Sequence, residues 1–275
     1  MQLSEQQLTQ LKSDITEIAR PLVHEHYRHL QTNDVHTKTS PTDLVTVVDQ
    51  DIERQLTKRL RGQYPQAMII GEEAVSQNPQ LLDSLDNAEL TFVIDPIDGT
   101  WNFAHGMSVF GVMVAVISDG LCQHALLYDP IINDWQQATL GQGAFYEDSS
   151  GKQSPIHVSD RNGLAQLRGF VPLCNFNQAM QLHIAPQLAG FARIMEFGCS
   201  CFEYRLLNDG AADFIIAPDP KVWDHAPGQL ILSEAGGYSC FSDGEAYRPG
   251  RNRGILLAAN SQQNWHELMN HFQLI

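Results

Sequence analysis

The sequence predicts a mixed α/β (α+β) fold, and three observations carry that prediction. Amphipathic helical stretches open the chain, β-forming runs crowd residues 109–146, and strands then alternate with helices from 167 to 272. At 275 residues the chain can bury one large core or two closely packed subdomains. The polar stretch Glu147 to Gln153 is the candidate boundary. It divides a single domain, 1–275, into subdomains 1–150 and 151–275.

Taken in order, Leu8, Leu11, Ile15, Ile18 and Leu22 follow a 3,4,3,4 spacing and predict a helix, with Pro21 a point where it can kink. His24, His26 and His29 at its tail lack a carboxylate partner pattern and read as a solvated helix end. A polar loop follows up to Pro41. Asp43 or Thr46 then caps a second helix that carries Asp51, Ile52, Leu56 and Leu60.

Ala67 to Ile70 reads as a short buried strand stopping on Gly71-Glu72-Glu73, and 76–89 as a polar helix or loop. Leu90 to Ile94 is another buried strand, ending on Asp95-Pro96. Val109–Ile117, Leu121–Tyr128, Trp135–Thr139 and Ala144–Tyr146 form a meander, hence an antiparallel sheet for the two helices to cover. The second half gives strands near 167–171, 192–196, 212–217 and 255–259. Helices are expected over 176–189, from about Ser200, from Val222 to Ala235, and over 262–272.

Composition narrows the function. Acidic residues outnumber basic ones 32 to 17, a net charge of −15, which opposes general nucleic-acid binding. The five cysteines are odd in number and include no Cys-x-x-Cys pair, so neither a disulfide framework nor a zinc site is indicated. Reduced thiols, a polar N-terminus without a leader pattern and the lack of a membrane-length apolar run predict a soluble, cytoplasmic protein.

The chemistry centres on Val93-Ile94-Asp95-Pro96-Ile97-Asp98-Gly99-Thr100-Trp101-Asn102-Phe103. Two carboxylates three residues apart stand in a turn fixed by Pro96 and Gly99, and a helix can begin at Gly-Thr. Free N–H groups beside carboxylates suit a phosphate only if a hard cation lies between them. A lone Asp-x-x-Asp is usually a solvated loop. The full string is far more specific, and it resembles the signature of the inositol monophosphatase family, the magnesium-dependent, lithium-sensitive phosphatases. Asp43-Leu44-Val45-Thr46 through Asp49, Gly71-Glu72-Glu73, and Trp223-Asp224 with Glu234-Ala235-Gly236-Gly237 match three further family signatures in order.

That resemblance implies a layered α-β-α-β-α sugar-phosphatase sandwich and hydrolysis of a small polyol- or sugar-type phosphate, inositol 1-phosphate being the type case. It implies that Glu72, Asp95 and the Ile97 carbonyl hold one Mg²⁺ and that Asp95, Asp98 and Asp224 hold a second. A third, weaker ion is expected near Glu72. Asp49 and Thr100, with Glu72, serve catalysis, and Gly99, Thr100, Asp98, Asp224 and Ser200 contact substrate. Lys38 matches a family lysine near the site, and a homodimer is the implied assembly. Two departures affect specificity. Ala217 stands where inositol-specific members carry a glutamate, with Asp219 a candidate substitute, and Cys199-Ser200-Cys201-Phe202-Glu203 stands where inositol-type members have small residues. Histidinol phosphate, fructose 1,6-bisphosphate and nucleotide 3′-phosphates are alternative substrates in relatives, and a regulatory or interaction role is the alternative from another class.

Overall fold

The structure is a computed structural model that describes residues 2–274, the side chains of Ser84, Asp86 and Asn87 excepted. The first half comprises α1 (Glu5–His26), the hairpin β1 (Val35–Thr37) and β2 (Leu44–Thr46), α2 (Val47–Gln63), β3 (Met68–Gly71), α3 (Glu72–Gln77), β4 (Thr91–Asp98) and α4 (Thr100–Ala104). Five strands follow: β5 (Gly111–Ser118), β6 (Leu121–Asp129), β7 (Asp134–Thr139), β8 (Ala144–Glu147) and β9 (Gln153–Pro155). The second half holds β10 (Arg168–Phe170), α5 (Gln178–Ile184), β11 (Arg193–Met195), α6 (Ser200–Asn208), β12 (Phe214–Pro218), α7 (Val222–Glu234), β13 (Tyr238–Phe241), β14 (Ile255–Ala259) and α8 (Gln262–Phe272).

Seven strands form one sheet in the order β3-β4-β5-β6-β7-β8-β9, and five form another in the order β11-β10-β12-β14-β13. Alternation along the strands decides the layers. Phe92, Ile94, Val112 and Val114 pack with Ile15, Ile18 and Ile52 of α1 and α2. From the other face Met113 and Leu127 pack with Tyr204 and Leu207 of α6 and with Ile231 of α7, which also meet Ile215 and Ala258 of the second sheet. Phe214 and Leu257 then face Ile184 of α5 and Leu268 of α8. The layers are therefore α-β-α-β-α, as the resemblance implied. Among the described residues no helix is long and apolar enough to cross a membrane.

The structure departs from the sequence reading at four places. β4 runs on through Asp98 where a turn was expected. Its register against β5 shifts between Asp95 and Asp98, so a bulge takes up Pro96 without breaking the strand. The loop before Pro41 contains half of a hairpin, β1 pairing antiparallel with β2, in strands of three residues each, too short to announce themselves. β13 follows Gly237 unpredicted, and β9 extends the first sheet to Pro155, past the polar stretch. α1, by contrast, is the helix that the spacing predicted, running from Glu5 through Pro21 to His26.

Candidate active site

Four helices begin at one point. Asp49 is the third residue of α2, Glu72 the first of α3, Thr100 the first of α4 and Asp224 the third of α7. The first turn of α6 adds the N–H of Cys201, which donates to Asp98 Oδ2. First-turn N–H groups and helix dipoles thus converge on a group of buried carboxylates and offset part of their repulsion.

Carboxylate oxygens of Asp95, Asp98 and Asp224 all lie within 4.8 Å of one another. Asp95 is 1% exposed, yet its Oδ1 has no hydrogen-bond partner. A buried carboxylate oxygen left unpartnered among other carboxylates is an expensive arrangement unless a cation completes it. The donor set is all oxygen, which fits Mg²⁺ and not a thiophilic metal. Burial first, then repulsion from Glu72, Asp98 and Asp224, holds Asp95 well above the usual carboxylate range. Burial chiefly, with the charges of Asp98 and Glu72, does the same to Asp224. Asp98 is pushed up to about 6 by burial, against the lowering effect of the Cys201 and Ser200 N–H groups and the Cys199 thiol.

Asp49 is fully buried and fixed on both oxygens. Thr46, the N-cap of α2, gives its hydroxyl and, at 2.9 Å, its N–H to Oδ2. Thr100 Oγ1 lies 3.0 Å from Oδ1 and 2.9 Å from the Ile97 carbonyl, so its one proton serves either acceptor. Burial raises Asp49 to about 7, with the Glu72 charge adding to it. Glu72 stands outside the three-carboxylate group. Lys38 Nζ lies 2.7 Å from its Oε1 and 2.6 Å from Glu73 Oε1. Burial pulls the Lys38 ammonium down, but the two glutamates outweigh it and keep the proton on lysine.

Gly99 precedes α4 at φ +84°, and a Cβ there would lie 2.8 Å from the Val109 carbonyl oxygen and 3.0 Å from Cys199 Cβ. Only glycine fits that bend without displacing a neighbour. Ser200 opens α6 and is half-buried, next to Cys199, whose thiol donates to Asp98 Oδ2 at 3.1 Å. Ala217 lies on β12 in a small apolar cluster with Phe241 and Leu256. Asp219 is committed elsewhere: its Oδ1 accepts the Gly254 N–H at 3.0 Å and its own N–H bonds the Gly254 carbonyl.

Three supporting residues had no role at the site in the sequence reading. Glu53 caps α3, accepting the N–H groups of Glu73 at 2.8 Å and Ala74 at 2.9 Å. Its place four residues after Asp49, on the same helix face, was the available signal. Cys199 and Glu203 are the others, Glu203 accepting the Phe197 N–H at 2.9 Å and so holding the approach to α6. Contacts to Asp98 from a residue 101 positions away leave no local trace.

A five-layer α/β sandwich whose helix N-termini gather acidic oxygens at one point can hold a cation there. The chain belongs to the inositol monophosphatase family, whose model matches residues 4–273, and it is a phosphomonoester hydrolase. It is 33% identical over 211 residues to the inositol-1-monophosphatase SuhB of Mycobacterium tuberculosis, covering 74% of this chain and 70% of that one. It is 32% identical over 216 residues to the Nus factor SuhB of Xylella fastidiosa, covering 78% and 74%. Its fold matches an IMPase of Thermotoga maritima with a TM-score of 0.79 at 24% identity over 96% of this chain and 97% of that one. An inositol monophosphatase of Zymomonas mobilis gives 0.80 at 20% identity over 99% and 100%.

Proposed function

We propose that the protein is a Mg²⁺-dependent phosphatase of a small polyol or sugar phosphate, with inositol 1-phosphate the type of substrate, acting by direct attack of water. The unpartnered Asp95 Oδ1 beside Asp98 and Asp224 carries the reading, since it fits a hard cation and little else. Glu72, Asp95 and the Ile97 carbonyl would hold one ion, Asp95, Asp98 and Asp224 a second, and Glu72 the edge of a third. Bound there, Mg²⁺ supplies Lewis-acid stabilisation of phosphoryl charge and a lowered pKa for water.

The chain's own residues do the rest. With its proton given to Asp49 Oδ1, Thr100 Oγ1 turns its lone pairs outward to accept from, and so orient, the attacking water. An Asp49 held near 7 is suited to take up a proton at neutral pH. The first-turn N–H groups at Gly99 and Thr100 receive phosphoryl oxygens, and Asp98, Asp224 and Ser200 line the substrate side. Cys199 is no rival nucleophile, because burial, followed by the Asp98 charge, holds its thiol far above the usual range. Products are the alcohol and inorganic phosphate.

The reading takes the chain as one domain whose halves, 1–150 and 151–275, close over the carboxylates. The family resemblance brings with it a homodimer and a cytoplasmic setting, the latter supported by five free cysteines. The net charge of −15 opposes RNA or DNA as a main partner. Phosphate release over a panel of inositol 1-phosphate, histidinol phosphate, fructose 1,6-bisphosphate and a nucleotide 3′-phosphate tests the substrate class. Turnover of at least one in Mg²⁺, and of none in excess chelator, is the expected result.

A further inference from the structure

The edge of the first sheet carries a feature that hydrolysis does not use. β3 is its terminal strand, paired on one side only, in parallel with β4. Met68 N–H donates to the Leu90 carbonyl at 2.9 Å. With a period of two, Met68 and Ile70 spend their main-chain groups on β4; Ile69 turns its N–H and C=O outward and Gly71 its N–H, the Gly71 carbonyl being taken by the first turn of α3. Among the described residues, no strand takes those outward groups. Main-chain groups left open on a strand edge, here the Ile69 N–H and C=O and the Gly71 N–H, are a template for another strand.

A groove of about 460 Å³ runs along this edge, with Ile69 and Gly71 on one wall and Arg54, Lys58 and Arg61 of α2 on the other. The three cations stand at i, i+4 and i+7, on one helix face. Arg54 pairs with Asp51 at 2.7 Å, whereas among the described residues Lys58 and Arg61 pair with no carboxylate. Glu53, the acidic member of the lining, is 7% exposed and turned inward to cap α3. Unpaired cations gathered over a strand edge in a chain of net charge −15 mark a place for an anion.

The two sides of the groove differ. α2 packs on the sheet face of Ile69 and Phe92, and Leu81, also lining the groove, packs on the opposite face with Ile70 and Val93. A strand laid beside β3 would therefore point alternate side chains at Lys58 and Arg61, and the others at Leu81. We infer that this edge docks an extended segment of another protein in which acidic and apolar residues alternate, added to the sheet as a strand.

The test uses the full-length protein and a fluorescent acetylated hexapeptide of alternating glutamate and valine, followed by anisotropy. Two control peptides replace every glutamate by lysine, or the central valine by proline to remove a ladder donor. The glutamate peptide should bind saturably and both controls roughly tenfold or more weakly. The double variant Lys58→Glu, Arg61→Glu should lose the glutamate peptide and gain the lysine one, with phosphatase turnover unchanged. Equal binding of glutamate and lysine peptides, or full binding by the double variant, would overturn the charge reading. Full binding of the proline peptide would overturn strand addition.

Discussion

Thr100 Oγ1 meets Asp49 Oδ1 at 3.0 Å, joining the first turns of two helices that start 53 residues apart. The contact is possible because Thr46 pins the other oxygen of Asp49 and Gly99 bends the chain sharply before Thr100. Replacing Thr100 by alanine removes the water-orienting hydroxyl and leaves every carboxylate in place. Thr100→Ala should lower kcat by about 10²–10⁴-fold with a much smaller change in the Mg²⁺ concentration for half-activity. Steady-state kinetics at several Mg²⁺ concentrations separates the two. An unchanged kcat would remove Thr100 from the chemistry.

Activity should fall on the acid side. Asp98 is raised to about 6, so protons and cation compete for its oxygens as the pH drops, and Asp49, raised to about 7, fills with a proton and ceases to accept one. More Mg²⁺ should move the acid limb to lower pH. Rate profiles between pH 5 and 8 at two Mg²⁺ concentrations check this, and superimposable limbs would show that no such competition exists.

Stability of the metal-free protein should run the opposite way. Carboxylates held above their unfolded pKa of about 4 bind more protons folded than unfolded. Their contribution is fully present below pH 4 or so and is lost as the pH rises through 6 and 7, the values at Asp98 and Asp49. Melting temperatures in chelator should therefore fall across that range. Asp95→Asn, which removes one buried charge, should melt higher than the wild-type chain at pH 8 in chelator while showing no turnover with Mg²⁺. A variant that melts lower there would contradict the repulsion argument.

Specificity offers a further check. Ala217 supplies no carboxylate, and Asp219 already holds Gly254. Inositol 1-phosphate should bind weakly, since a lost charged hydrogen bond costs about 1.5–3 kcal/mol, or roughly one to two decades. Ala217→Glu should lower KM for inositol 1-phosphate selectively, and should cost stability because the site packs against Phe241 and Leu256. Tight binding by the wild-type chain would assign the contact to another residue.

Much of this was legible along the chain. A Val- and Ile-rich run marked β5, apolar and aromatic runs between turn residues marked β6 to β8, and the 3,4 spacing marked α1, because each signal is local. The bulge in β4 was not legible, since Asp95-Pro96 and Asp98-Gly99 carry the same residues as an ordinary turn and only pairing with β5 keeps them in the strand. The carboxylate motifs named the site, and the resemblance put Lys38 near it, but neither gave the contacts that support the carboxylates. The Cys199 thiol on Asp98 and the Lys38 ammonium on Glu72 are tertiary contacts with no periodic signature. β1 and β13 are three and four residues long, too short for alternation to register.

The central claim is that Asp95, Asp98 and Asp224 work by holding a divalent cation. Phosphate release from the best phosphomonoester of the panel, titrated with Mg²⁺ from excess chelator upward, tests it most directly. The account predicts no turnover in chelator and a saturable rise in the millimolar range. Full turnover in excess chelator would contradict it.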